Sequence, residues 1–172
     1  MIFRQFTTRE IKPTGWLKNQ LKIQADGLSG NLDKMWNSIK NSSWIGGDDD
    51  GWERVPYWLD GFVPLAYLLD DEDMKTRAKK YVDAILERQC EDGWICPCAL
   101  DERKFYDVWA CFIICKSLVV YADCSGDSIL APITGASFRM GREGRGEFGE
   151  SIAPAEADRK TMGMSCLLQA RK

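Results

Sequence analysis

The chain has 172 residues, one domain's worth, and 45% are hydrophobic against 28% charged, the balance of a soluble globular protein. Lys+Arg 23 against Asp+Glu 26 leaves a formal net charge of -3, and no stretch pairs basic clusters with stacking aromatics, so nucleic acid is not an expected partner. No apolar run approaches the ~20 residues of a membrane span and residues 1–10 lack the apolar core of a secretory signal, so a cytoplasmic protein without membrane contact is expected.

Pro13-Thr14-Gly15-Trp16 opens a predicted helix running to Asp26, with Trp16, Leu17, Leu21 and Ala25 inward, closed by Gly27 to Gly30. A short amphipathic piece follows, carrying Leu32, Met35, Trp36 and Ile39. Asn41 to Gly51 reads as a polar loop interrupted by Trp44-Ile45. Its Asp48-Asp49-Asp50-Gly51 run lacks the spaced ligands and bidentate Glu of a calcium loop, so a solvated acidic turn is expected.

Arg54 to Leu69 is aromatic and apolar, with Pro56 suited to a first turn and Pro64 expected to kink or restart the helix for want of an N–H. In the next helix Met74, Ala78, Tyr81, Val82, Ile85 and Leu86 make one apolar stripe, acidic residues 71–73 sit at its positive end, and Asp73 precedes Arg77 by four. Asp92-Gly93-Trp94 reads as a terminating turn with Trp94 packed beneath it, or as a loop lining a cleft. Residues 107–122 are apolar around nearly the whole helix, which requires burial on all sides.

No strand alternation appears, so the fold class is all-α. Alternating one-sided and all-round helices suit a toroid with an inner and an outer ring. The helix over 71–89 is expected to pair with that over 107–122, and a chain this short supplies only the first two to three pairs of a six-pair (α/α)6 ring. An open array leaves an unpaired apolar face, here placed at Leu118, Val119 and Val120.

The chain changes character near residue 127. All seven Trp and all five Tyr lie at or before Tyr121, whereas 126–172 holds seven of the fifteen Gly and only Phe138 and Phe148 as aromatics. Residues 1–127 read as core material and 128–172 as an irregular, low-order C-terminal tail, either an ordinary one or a non-native continuation.

Carboxylates beside Trp suit sugar binding, because aromatic faces stack on a sugar ring while carboxylates accept its hydroxyl hydrogen bonds. Glu53 follows Trp52, Asp60 lies near Trp58 and Asp107 near Trp109. The plainer alternative is that Glu53 and Asp60 cap or salt-bridge helix ends, with Arg54 as partner. The seven Cys of a chain with no visible leader read as reduced thiols. Cys96-x-Cys98 and Cys111-x3-Cys115 could offer four thiolates to zinc, but Cys111 and Cys115 lie in the all-round apolar helix, where Cys packs as a small hydrophobe. No metal site is assigned to this chain.

Several stretches, in order, resemble the N-terminal part of the catalytic domain of glycoside hydrolase family 127, the β-L-arabinofuranosidase-like proteins. They are Ile11-Lys-Pro-Thr-Gly-Trp-Leu-Lys-Asn-Gln-Leu21, Gln24-Ala-Asp-Gly-Leu-Ser-Gly30, Trp44-Ile-Gly-Gly47 and Gly51-Trp-Glu-Arg-Val-Pro-Tyr-Trp-Leu-Asp-Gly61. Pro64-Leu-Ala-Tyr-Leu-Leu-Asp70, Gln89 through Asp92-Gly93-Trp94, and Asp107 through Trp109, Lys116, Tyr121 and Ser125-Gly126-Asp127 continue the match over residues 2–127.

The resemblance implies an (α/α)6 barrel acting on arabinofuranosides or related plant glycans, with a cysteine nucleophile beside zinc and a separate glutamate acid/base. Those groups belong to the second half of the family's barrel, so no catalytic residue is carried over and the zinc is expected only in full-length members. The chain is expected to be an N-terminal fragment, inactive alone; a stand-alone carbohydrate-binding helical module is the alternative. Glu53, Trp58, Asp60, Asp107 and Trp109 are the candidate sugar-contacting residues. Where better-studied members carry histidines, this sequence has Asp60 and Cys115.

Overall fold

The structure, a computed structural model, describes residues 6–129, and among these the chain is all-α. The helices are α1 (Gly15–Asp26), α2 (Leu28–Met35), α3 (Asn37–Lys40), α4 (Arg54–Leu69), α5 (Glu72–Glu87) and α6 (Trp109–Ser125). Of the tail expected over 128–172, residues from 130 on lie outside the described residues.

α4 is the centre of the packing: α6 lies along it, α5 returns beside it, and α1, α2 and α3 also rest against it. The contacts Tyr81 on Trp58, Arg77 over Phe62 and Lys75 over Tyr67 run in opposite order on the two helices, so α5 is antiparallel to α4. Tyr57–Trp109, Asp60–Lys116 and Tyr67–Tyr121 advance together, so α4 and α6 are parallel neighbours. This differs from the pairing expected between α5 and α6. Val55, Leu59, Phe62 and Val63 of α4 close against Cys111, Ile114 and Leu118 of α6 and Ala78, Val82 and Ile85 of α5 in one core.

α5 matches its pattern closely. Met74, Ala78, Tyr81, Val82 and Ile85 are buried, and Arg77 Nε donates to Asp73 at 2.9 Å. Asp71 caps the helix, its carboxylate accepting the Met74 N–H at 2.9 Å. Replacing Asp71 with alanine orphans that N–H and is expected to cost about 1 kcal/mol, read as a lower urea midpoint at constant slope.

Elsewhere the structure corrects the expectations. α4 runs through Pro64 without a restart. The residue gives up only the hydrogen bond to the Asp60 carbonyl, and packing on two sides holds the helix together. Gly27 closes α1 as expected, its N–H donating to the Ile23 carbonyl, but Gly30 sits inside α2, at a position where a Cβ would meet the Ala25 carbonyl oxygen at 1.8 Å. α1 buries no residue: Trp16 and Leu17 are exposed, and only Leu21 and Ala25 reach the core. Met35 and Trp36 are likewise exposed, while Ile39 is buried. Leu118 and Val119, expected at an open end, are buried by α4 and its neighbours, leaving Val120 half-buried. Among the described residues, α1 and α2 expose Trp16, Leu17, Ile23, Leu28 and Met35, whereas the last turns of α6 are covered.

Candidate functional site

The solvent-facing sides of α4 and α6 form one continuous stripe. Tyr57, Asp60, Gly61 and Pro64 come from α4, and Trp109, Phe112, Ile113 and Lys116 from α6, at the three- and four-residue spacing that keeps them on one side of each helix. Ser117 Oγ, buried beneath the stripe, lies between the Pro56 carbonyl at 3.0 Å and the Ile113 carbonyl of its own helix at 2.9 Å, its one proton shared between the two helices' backbones.

The stripe is polar and aromatic at the N-terminal ends of both helices. Trp109 Nε1 donates to the Tyr57 hydroxyl at 3.0 Å, joining two exposed rings across the helix interface. The Asp107 carboxylate accepts the Trp109 N–H at 2.9 Å, which fixes the first turn of α6 and keeps Asp107 beside its ring. The Tyr106 hydroxyl donates to the Gly51 carbonyl, bringing the approach to α6 against the approach to α4. Trp44, buried, donates through Nε1 to the Trp52 carbonyl at 2.7 Å and anchors the same turn from beneath. Exposed Trp52 and half-buried Glu53 are thereby held near Tyr106 and Asp107.

About two turns further along α6, Lys116 Nζ donates to Asp60 Oδ2 at 2.7 Å, a pair that bridges the two helices. The structure thus sets Asp60, Asp107 and Trp109 along one face, with Glu53 at its head. Trp58 does not share that face: it is 7% exposed, stacks on Phe62 at 4.4 Å, and spends its indole N–H on the Ser29 carbonyl. Its ring is core and offers no surface to a sugar. The partner expected for Glu53 or Asp60, Arg54, instead pairs with Asp50 at 3.2 Å and lies over Trp36. Glu53 leaves the start of α4 uncapped.

Sequence reasoning passed over Tyr57 and Lys116. Their positions carried the signal, since Tyr57 and Asp60 lie three apart and Lys116 interrupts an otherwise apolar helix. What could not be read was that α6 lies on α4 and so brings them together.

The acidic turn behaves as a hydrogen-bonded loop. Asn41 donates to Asp48 and Asn37 to Asp49, and the Asp50 backbone N–H with Asn37 holds the Asp49 carboxyl below its usual range. Trp94 is buried under its turn, with its indole donating to the Cys96 carbonyl at 2.9 Å.

Cys111 lies against the thiols of Cys96 and Cys115, and burial first, then these neighbours, push it well above the ordinary thiol range. Burial likewise pushes Cys98 up to about 11. Among the described residues no group of three or more Cys, Asp or Glu is placed to hold a metal ion, and no helix is long and apolar enough to cross a membrane. Among the six described cysteines, iodoacetamide at pH 8 is expected to label exposed Cys90 first in the native protein, with Cys111 and Cys115 labelled only after unfolding, which peptide mapping checks.

Compared with protein-family models, with curated proteins and with solved structures, the chain matches none.

Proposed function

We propose that the chain is the N-terminal part of a helical-ring glycosidase of the β-L-arabinofuranosidase-like kind, that its α4–α6 stripe faces a neutral plant glycan, and that it is catalytically silent by itself. The observation that carries this reading is the hydrogen-bonded Tyr57–Trp109 pair beside Asp107, on the solvent side of two parallel helices. Exposed rings stack on the C–H face of a sugar while the carboxylates accept its hydroxyl protons.

The arrangement of α4, α5 and α6 supports the partial (α/α)6 ring. α4 and α6 are adjacent and parallel, and α5 returns antiparallel outside them, the order of inner, outer and inner helices in a toroid. In that ring the stripe is the inner wall. The segments resembling family 127 supply Trp52, Glu53, Tyr57, Asp60, Asp107, Trp109 and Lys116, the polar and aromatic residues of the stripe and its head. The ring's missing helix pairs would hold the acid/base and the nucleophile with its zinc, and no step is assigned to groups of this chain.

Incubation with 4-nitrophenyl arabinofuranosides is expected to release no nitrophenol above the blank. Turnover by the chain alone would contradict the fragment reading. Glycan binding at high affinity with no turnover would favour the stand-alone binding module.

A further inference from the structure

We propose that the Asp60–Lys116 pair is a charge gate that restricts the stripe to neutral sugars and excludes uronates; this rests on the reading of the stripe as a sugar-binding face. Glu53, Asp60 and Asp107 place three carboxylates along it, and Lys116 is the cation that α6 contributes. The Lys116 ammonium is committed to Asp60 at 2.7 Å, so it offers little net positive charge to an incoming carboxylate.

Among the described residues, Arg54 and Arg103, the arginines nearest in sequence to the two helix starts, are turned to other partners. Arg54 pairs with Asp50 and covers Trp36, and Arg103 pairs with Asp92 at 2.6 Å and covers Trp94. A sugar hydroxyl can donate to these carboxylates, whereas a uronate would meet uncompensated negative charge. The gate is local. The Lys116 side chain is half exposed, so removing Asp60 frees an ammonium already within reach of the stripe.

The test is isothermal titration at low ionic strength of the full chain and its Asp60→Asn and Asp60→Asn/Lys116→Gln variants, using arabinotriose and trigalacturonate as probes. The wild-type chain is expected to bind arabinotriose and not trigalacturonate. Asp60→Asn gains trigalacturonate binding by about tenfold or more, and both the double variant and added salt remove the gain. Wild-type chain that binds both probes alike overturns the gate without any variant. So does an Asp60→Asn chain that still binds arabinotriose but gains nothing for the uronate. Wild-type chain that binds neither overturns the sugar-binding reading itself, and the gate with it.

Discussion

Trp44→Ala is expected to be the most damaging single substitution described here, costing about 3–5 kcal/mol of a stability that for a domain is typically 5–15 kcal/mol. Trp44 is 1% exposed and among the largest fully buried side chains. Its removal opens a cavity in the core and also releases the Trp52 carbonyl, which accepts the indole N–H at 2.7 Å. The second loss matters for the site, because residues 51–53 approach α6 through Gly51 and Tyr106. Urea unfolding followed by circular dichroism should show the lower midpoint. Trp44→Phe, which keeps most of the volume and lacks the N–H, should recover most but not all of it. If both variants unfold with the wild-type midpoint, Trp44 does not hold the 41–53 turn to the core.

Trp109→Ala is expected to leave the fold intact and weaken glycan binding roughly thirty-fold, about 2 kcal/mol, as removal of a central aromatic anchor does. The ring is 38% exposed, and its loss from the first turn of α6 uncovers little core. Tyr57→Phe provides the comparison. It keeps the ring of Tyr57 but removes the hydroxyl that accepts the Trp109 N–H at 3.0 Å, so it loosens the platform without deleting it. A smaller loss is expected for Tyr57→Phe, with an unchanged thermal midpoint for both. Equal binding by all three proteins would remove Trp109 from the site.

The parts of the fold legible in the sequence are those decided locally. α5 was legible because an apolar stripe, an acidic first turn and a capping aspartate all agree over 16 residues. The α6 helix was legible because only Lys116 and Ser117 interrupt its apolar residues over 109–122, but burial on all sides was not met: Trp109 and Lys116 are exposed and Phe112, Ile113 and Val120 half-buried along its open side. What failed depended on neighbours. Pro64 reads as a kink or a restart, and the restart does not occur because packing on α4 outweighs one lost hydrogen bond. Trp16 and Leu17 read as inward, but α1 meets α2 and α4 through Leu21 and Ala25 and leaves the two exposed.

The candidate site shows the same division. The composition of the stripe was readable as carboxylates beside tryptophans, yet Trp58 and Trp109 look alike in sequence. Only the third dimension sends one into the core against Phe62 and Tyr81 and the other to the surface against Tyr57. Asp60 was nominated for a sugar hydroxyl, and the structure adds the cation that qualifies what it can accept.

The most direct measurement is an NMR titration of the full chain with arabinotriose, following the indole N–H signals of its seven tryptophans. The account predicts that the Trp109 signal moves in a saturable manner and that those of buried Trp44, Trp58 and Trp94 stay in place. A Trp109 signal that does not move at saturating arabinotriose, or a response confined to Trp16 on α1, would contradict it.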